Sequence, residues 1–174
     1  MKLSHRGQAR RSTAAVAAVA AGLLFAACSP APANRAAREE TYPYWEKRAG
    51  APEAAAFMKI RIPQDATEVR GAVRVQPQEN IHLLSFITDE KTAESIADDL
   101  RPDHPLRSEN TSTSLSGDGF EHLGLTPPQD IEGVRTTSAC PPCVGDTRRS
   151  EVQGIELHIG GDSGGRVRVY LTAY

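Results

Sequence analysis

The chain has 174 residues and a formal net charge of −2, from 20 basic and 22 acidic side chains. Four of the basic residues and none of the acidic ones lie in positions 1–27, so residues 28–174 carry a formal charge of −6. This balance argues against a nucleic-acid partner, which needs a basic stripe, and against electrostatic adhesion to anionic lipid. Residues 28–174 are enough for one domain and too few for two ordinary ones.

The first 27 residues have the pattern of an export signal. A basic run, "MKLSHRGQARR", precedes an alanine-rich apolar stretch over residues 12–27, and no acidic residue occurs before Glu39. The apolar stretch is shorter than the ~20 residues that a membrane-spanning helix needs. We therefore expect residues 1–27 to be a signal peptide that is removed.

The end of this stretch, "LLFAAC", places two small residues directly before Cys28. It resembles the lipobox of bacterial lipoproteins, in which the cysteine is acylated and becomes the new amino terminus. The resemblance implies a lipid anchor at Cys28 and a location on the outer, extracytoplasmic face of the cell membrane. Ordinary secretion after Ala27 and a retained membrane helix are the alternatives.

Residues 28–40 are rich in Ala, Pro and charge and have no apolar periodicity, so they are expected to form a flexible tether. A single globular domain is expected over residues 41–174. In total pattern, with its Ala-, Arg- and Pro-rich ends, the chain resembles the small exported lipoproteins of high-GC Gram-positive bacteria. That resemblance implies no particular activity.

Alternating apolar residues predict three strands in the first half of the domain. They cover residues 57–62, 68–76 and 80–88, and we expect them to form the centre of the sheet. A short amphipathic helix follows over about residues 89–100, with Thr88 as its predicted N-cap and Pro102 beyond its end.

Residues 101–150 are predicted to form a long irregular segment, in which only "GFEHLGL" and "IEGVRTT" have a strand-like pattern. Alternation returns in "EVQGIELHI" and "RVRVYLTAY", which predict two further strands. The expected fold is therefore α+β, with a mainly antiparallel sheet of about five or six strands and one short helix.

The stretch Gly161-Asp162-Ser163-Gly164-Gly165 resembles the loop around the nucleophilic serine of chymotrypsin-like proteases. The histidine motif of that family is absent, and only 11 residues follow Ser163, too few to complete the protease fold. Glycines that admit positive φ, together with Asp and Ser, are typical of hairpin turns. We therefore predict a turn here and no catalytic residue.

Cys140 and Cys143 form a Cys-x-x-Cys pair in "ACPPCVGD". In an exported domain such a pair predicts a disulfide that fixes a local turn. The alternatives are a redox-active pair and a metal pair. Zinc would need two more ligands, for which His122 and His158 are the nearest histidines in sequence. No metal or other cofactor is predicted.

Two hypotheses for function follow. The first is a non-catalytic binding or envelope-accessory module on a lipid tether, with a cell-envelope protein or a small ligand as its partner. The second is an envelope thiol-disulfide oxidoreductase that uses Cys140 and Cys143.

Overall fold

The computed structural model describes residues 41–108, 117–161 and 164–174. In these ranges the chain forms one six-stranded antiparallel sheet with strand order β1-β2-β3-β6-β5-β4. The strands are β1 (Tyr44–Trp45), β2 (Thr67–Val75), β3 (Ile81–Asp89), β4 (Arg135–Ala139), β5 (Ile155–Gly161) and β6 (Arg166–Ala173). The helices are α1 (Ala51–Met58), α2 (Glu90–Asp99) and α3 (Gly117–His122). The predicted α+β fold dominated by an antiparallel sheet is confirmed.

The centre of the sheet is the pair β3 and β6, which are aligned from His82 opposite Ala173 to Asp89 opposite Arg166. Our expectation that the first three predicted strands would form the centre was wrong in part. β3 is central, but its partner there is β6, and residues 57–62 form no strand. β6 alternates Val167, Val169 and Leu171 with more polar residues. The three apolar side chains therefore point into the main core.

The prediction of a strand over residues 57–62 was wrong, because helix α1 occupies residues Ala51–Met58. Pro52 stands in the first turn, and the Glu53 carboxylate accepts a hydrogen bond of 2.8 Å from the Gly50 N–H. Both features favour a helix start, and the alanines that follow are strong helix formers. The helix ends at Met58, and the left-handed backbone of Lys59, with φ of 54°, turns the chain away.

The amphipathic helix predicted over residues 89–100 is confirmed as α2, Glu90–Asp99. Its N-cap is Asp89 rather than Thr88, because the Asp89 carboxylate accepts a 2.9 Å hydrogen bond from the Thr92 N–H. Thr88 is instead buried within β3. α1 and α2 cover the same face of the sheet, and their buried side chains join those of β3, β5 and β6 in one apolar cluster.

The segment over residues 101–150 is more regular than predicted, in the parts that the structure describes. "GFEHLGL" was predicted to be strand-like, but α3 ends in it, and Phe120 packs edge-on against Tyr170 with ring centroids 5.0 Å apart. "IEGVRTT" leads into β4, as its pattern indicates. Phe120 and Tyr170 belong to a second cluster on the face of the sheet opposite α1 and α2.

Arg149 joins the helical layer to the segment that follows β4. Its side chain is fully buried, and its Nε donates to the Met58 carbonyl at 2.9 Å. Its Nη1 donates to the Asp99 carbonyl at 3.1 Å and to the Asp146 carboxylate at 2.7 Å. Its Nη2 donates to the Asp99 carboxylate at 2.6 Å. A single guanidinium thus binds the last residues of α1 and α2, where backbone carbonyls lack helical partners.

The neighbouring Arg148 also contacts Asp99 and Asp146, at 3.1 and 3.2 Å, but half of its side chain is exposed. Hydrogen bonds from Arg148 and then from Arg149 lower the pKa of Asp146 to about 2, against the opposing effect of burial. Asp146 is therefore an anion at neutral pH, and hydrogen bonds from both arginines stabilise its charged form.

We predict that Arg149→Met lowers the free energy of unfolding by about 3 kcal/mol, since it removes the buried donor from the Met58 carbonyl and leaves the Asp146 carboxylate to the half-exposed Arg148 alone. Arg148→Met is the matched control, and as an exposed pair it should cost about 1 kcal/mol or less. Urea denaturation of both variants measures the difference. Equal losses of stability in the two variants would show that the buried contacts of Arg149 contribute no more than the exposed contacts of Arg148.

Candidate functional site

A pocket of about 360 Å³ lies at one end of the sheet, where β3 and β5 begin and β6 ends. The antiparallel register places Ala173 between His82 and Ile155, so the segments before β3 and β5 meet beside Tyr174. The residues that line the pocket and carry its chemistry are Phe57, Glu79, His82, Glu151, Gln153 and Tyr174. Four separate segments of the chain therefore form the pocket.

Two stacked rings form one wall of the pocket. Phe57 is the second-last residue of α1, and its ring lies 3.8 Å from the His82 ring with an interplanar angle of 8°. Burial lowers the pKa of His82, so the imidazole is neutral at neutral pH. This part of the lining is thus uncharged.

Tyr174 supplies a further wall, and Gly154 makes room for it. A Cβ atom at position 154 would lie 2.7 Å from the Tyr174 ring, closer than real Cβ contacts come. The backbone fixes this approach, because the Tyr174 carbonyl accepts hydrogen bonds from the N–H groups of Gln153 and Gly154. Burial, followed by the nearby charges of Glu156 and Glu79, raises the pKa of Tyr174, so its hydroxyl remains protonated at neutral pH.

A second polar feature lies within the sheet. His158, on β5 opposite Tyr170, is fully buried, and neither ring nitrogen has a hydrogen-bond partner among the described residues. Its Nε2 lies 4.0 Å from the Glu156 carboxylate. Burial lowers the pKa of His158 to about 4 and raises the pKa of Glu156. Burial thus disfavours the charged form of both groups.

Cys140 and Cys143 form the predicted disulfide, with Sγ atoms 2.04 Å apart. The Cys143 N–H donates to the Cys140 carbonyl at 3.0 Å, and the Asp146 N–H donates to the Pro141 carbonyl at 2.9 Å. The bridge closes a compact turn between β4 and the Arg149 network, which consists of Arg149 and its hydrogen-bond partners Met58, Asp99 and Asp146. Cys140 is half-buried and Cys143 is exposed, so the disulfide can be reached from solvent on one side.

The structure does not bring the two zinc-candidate histidines to the cysteines. His122 stacks on Trp45 with ring centroids 4.0 Å apart, and His158 is enclosed within the sheet. In residues 41–108, 117–161 and 164–174, no group of three or more His, Cys, Asp and Glu side chains could hold a metal ion. Both sulfurs are also bonded to each other rather than available as thiolates.

The glycine-rich stretch over residues 161–165 connects β5 to β6, which pair as antiparallel neighbours, as the predicted hairpin requires. Gly164 and Gly165 have φ of 84° and 79°, values that favour glycine. Asp162 and Ser163 lie outside the described residues. So does Cys28, together with the predicted signal peptide and tether.

Comparison of the chain with models of protein families, with curated proteins and with solved structures finds no match. Within the described ranges, no helix is both long and apolar enough to cross a membrane.

The sequence patterns singled out none of the pocket residues. Glu79 stands in the polar stretch "QPQEN" before β3, and Glu151 opens "EVQGIELHI", which was predicted to be a strand throughout but forms β5 only from Ile155. The strand order is the information that would have predicted that Glu79 and Glu151 lie close together. Once β3, β6 and β5 are known to be antiparallel neighbours, the beginnings of β3 and β5 must lie at the same end as Tyr174.

We predict that His158 makes the fold less stable in acid. The unfolded chain protonates this imidazole near its ordinary pKa of 6.5, whereas the folded pKa is about 4. Between these values the unfolded state binds more protons, so the stability that neutral His158 contributes is complete above pH 6.5 and is lost as the pH falls to 4. This loss lowers the free energy of unfolding by about 3 kcal/mol.

Urea denaturation at pH 7 and pH 4 measures this loss. The free energy of unfolding at pH 7 exceeds that at pH 4, and this difference should shrink by about 3 kcal/mol in His158→Gln. It should remain unchanged in the exposed control His104→Gln. A pH difference that His158→Gln leaves intact would assign the acid sensitivity to other groups.

Proposed function

We propose that the protein is a non-catalytic binding domain, held on the outer face of the cell membrane by a lipid on Cys28, and that the pocket at the sheet end is its ligand site. The pocket is the observation that carries this proposal. Its volume of about 360 Å³ falls within the range of small-ligand sites, about 300–1,000 Å³.

The construction of the pocket supports a binding role. His82 belongs to β3, and Tyr174 directly follows β6, so two of its walls are attached to the central strands of the sheet. A site fixed to rigid elements loses little conformational entropy when a ligand binds. The partner would be a small ligand or the side chain of a cell-envelope protein.

The disulfide supports the extracytoplasmic location. Cys140 and Cys143 are bonded to each other, and such bonds persist in oxidising compartments and are rare in the cytosol. The basic and apolar pattern of residues 1–27 and the "LLFAAC" end support export and acylation. Several acyl chains would make the attachment durable.

Two measurements on the full chain, expressed in a bacterium that processes lipoproteins, test the proposal. We expect the wild-type protein to incorporate an alkyne-tagged fatty acid and to sediment with membranes, and Cys28→Ser to lose the label. Cys143→Ser is the matched cysteine control and should keep the label. Equal labelling of wild type and Cys28→Ser would contradict the anchor.

Binding is tested separately, with the full chain purified in detergent and screened against a fragment set that spans cations, anions and neutral molecules. Ligand-induced NMR shifts should cluster on Asn80, Gln153 and Tyr174, which lie at the pocket. Shifts that arise only elsewhere, or none from any fragment, would contradict the pocket as the ligand site.

A second candidate function is thiol-disulfide exchange. The observation that favours it is the exposure of Cys143, which leaves one sulfur of the disulfide open to an attacking thiolate. Against it, the turn that the disulfide closes positions Asp146 in the buried Arg149 network. Reduction would therefore loosen a contact on which the helices depend.

We predict that the pair is structural, with a reduction potential below about −300 mV. Equilibration in thiol buffers, followed by alkylation and intact-mass analysis, measures it. A potential between about −270 and −120 mV, together with turnover of a model disulfide that Cys140→Ser abolishes, would establish the oxidoreductase instead.

A further inference from the structure

The described residues that line the pocket include acidic side chains and no basic side chain of lysine or arginine. The acidic side chains are Glu79 and Glu151. Within the described part of the chain, neither carboxylate forms an ion pair. By contrast, Glu90 and Glu94 both pair with Arg135, at 2.9 and 2.7 Å.

The other ionisable groups of the pocket do not offset this charge. His82 is neutral because burial lowers its pKa, and Tyr174 keeps its proton because burial and the charges of Glu156 and Glu79 raise its pKa. Two carboxylates therefore determine the charge of the site at neutral pH.

The pocket also offers a surface for an apolar body. The rings of Phe57 and His82, which stack on each other, add uncharged surface to the lining, against which an aromatic or aliphatic group could pack. The side-chain amide of Gln153 and the Tyr174 hydroxyl add uncharged hydrogen-bonding groups. Acidic groups beside an aromatic wall suit a ligand that carries a cationic head on an apolar body.

We infer that the pocket binds a small organic cation, with a primary amine or guanidinium directed at Glu79 and Glu151 and its body against Phe57 and His82. This inference rests on the proposed function, because it names the ligand class of the same site. An anion would be repelled by both carboxylates, and a neutral molecule would gain no charge interaction with them. A metal ion does not fit, since the described residues hold no group that could bind one.

Three probes of similar shape and different charge test the inference on the full chain purified in detergent. They are phenethylamine, which is a cation, 2-phenylethanol, which is neutral, and 3-phenylpropionate, which is an anion. We expect NMR titration to show the amine binding most tightly, with amide shifts at Asn80, Gln153 and Tyr174. Raising the salt concentration should weaken the binding of the amine and leave the binding of the alcohol unchanged.

Variants of the carboxylates locate the effect. Glu79→Gln and Glu151→Gln should each lower the affinity for phenethylamine about two- to fivefold, as expected for exposed ion pairs. In the double variant, the amine should bind no better than the alcohol. Glu132→Gln is the matched control, because Glu132 is exposed and does not line the pocket. It should leave the affinity unchanged.

The outcomes separate this inference from the proposed function. If the alcohol or the propionate binds at the pocket as tightly as the amine, the cation inference is overturned and the binding function stands. If none of the three probes shifts the pocket residues, the inference is also overturned, and the fragment screen decides the binding function.

The cationic group could belong to a free metabolite or to a side chain of an envelope protein. A blocked pentapeptide with one central arginine, titrated beside phenethylamine, distinguishes these sources. Tighter binding of the peptide would assign the site to a protein side chain, and tighter binding of the amine would assign it to a free small molecule. Both results support a cationic ligand, and failure of both overturns it.

Discussion

The buried guanidinium of Arg149 is the contact on which the arrangement of the helical layer depends. α1 has 8 residues and α2 has 10, lengths at which isolated helices are unstable in water. Each needs tertiary contacts, and each ends with carbonyl groups that no helical N–H can reach. Arg149 donates to the carbonyls of Met58 and Asp99 at once. Both helix ends are thereby fixed to the segment that follows β4.

Only an arginine can fill this position. Its five N–H donors lie in one plane and diverge, so one side chain can reach two carbonyls and two carboxylates, whereas a lysine offers three donors from a single point. The Asp146 carboxylate balances the buried charge, and the disulfide turn sets the direction of the backbone that carries it. The Cys140–Cys143 bridge therefore has a structural role even though Cys143 is open to solvent.

The sequence predicted those elements whose side chains alternate or repeat on one face. β2, β3, β5 and β6 follow from period-two alternation, and α2 follows from its spacing of Ala93, Ile96 and Ala97. α1 was missed because Met58, Ile60 and Ile62 also alternate. The helix signals, Pro52 and the alanines, lie upstream of that pattern. Local periodicity cannot decide between a helical and a strand pattern that overlap at Phe57 and Met58.

The features on which the proposed function depends could not be predicted from local patterns, for a different reason. Arg148 and Arg149 are adjacent in "GDTRRS", and only the position of α1 and α2 makes one of them buried and the other exposed. Glu79, Glu151 and Tyr174 meet because β6 lies between β3 and β5, and strand order is a property of the whole chain. The proposed lipid site at Cys28, in contrast, depends on a local motif and needs no fold.

The pocket and the Arg149 network are physically connected. Phe57, on one wall, directly precedes Met58, whose carbonyl Arg149 binds. Glu151, which also lines the pocket, lies two residues beyond Arg149, and the Val152 N–H donates to the Arg149 carbonyl at 3.0 Å. The contact that fixes the helix ends therefore also fixes both of these pocket residues. Loss of Arg149 would alter stability and the proposed ligand site together, whereas a carboxylate-to-amide change at Glu79 alters the charge of the pocket and leaves its support intact.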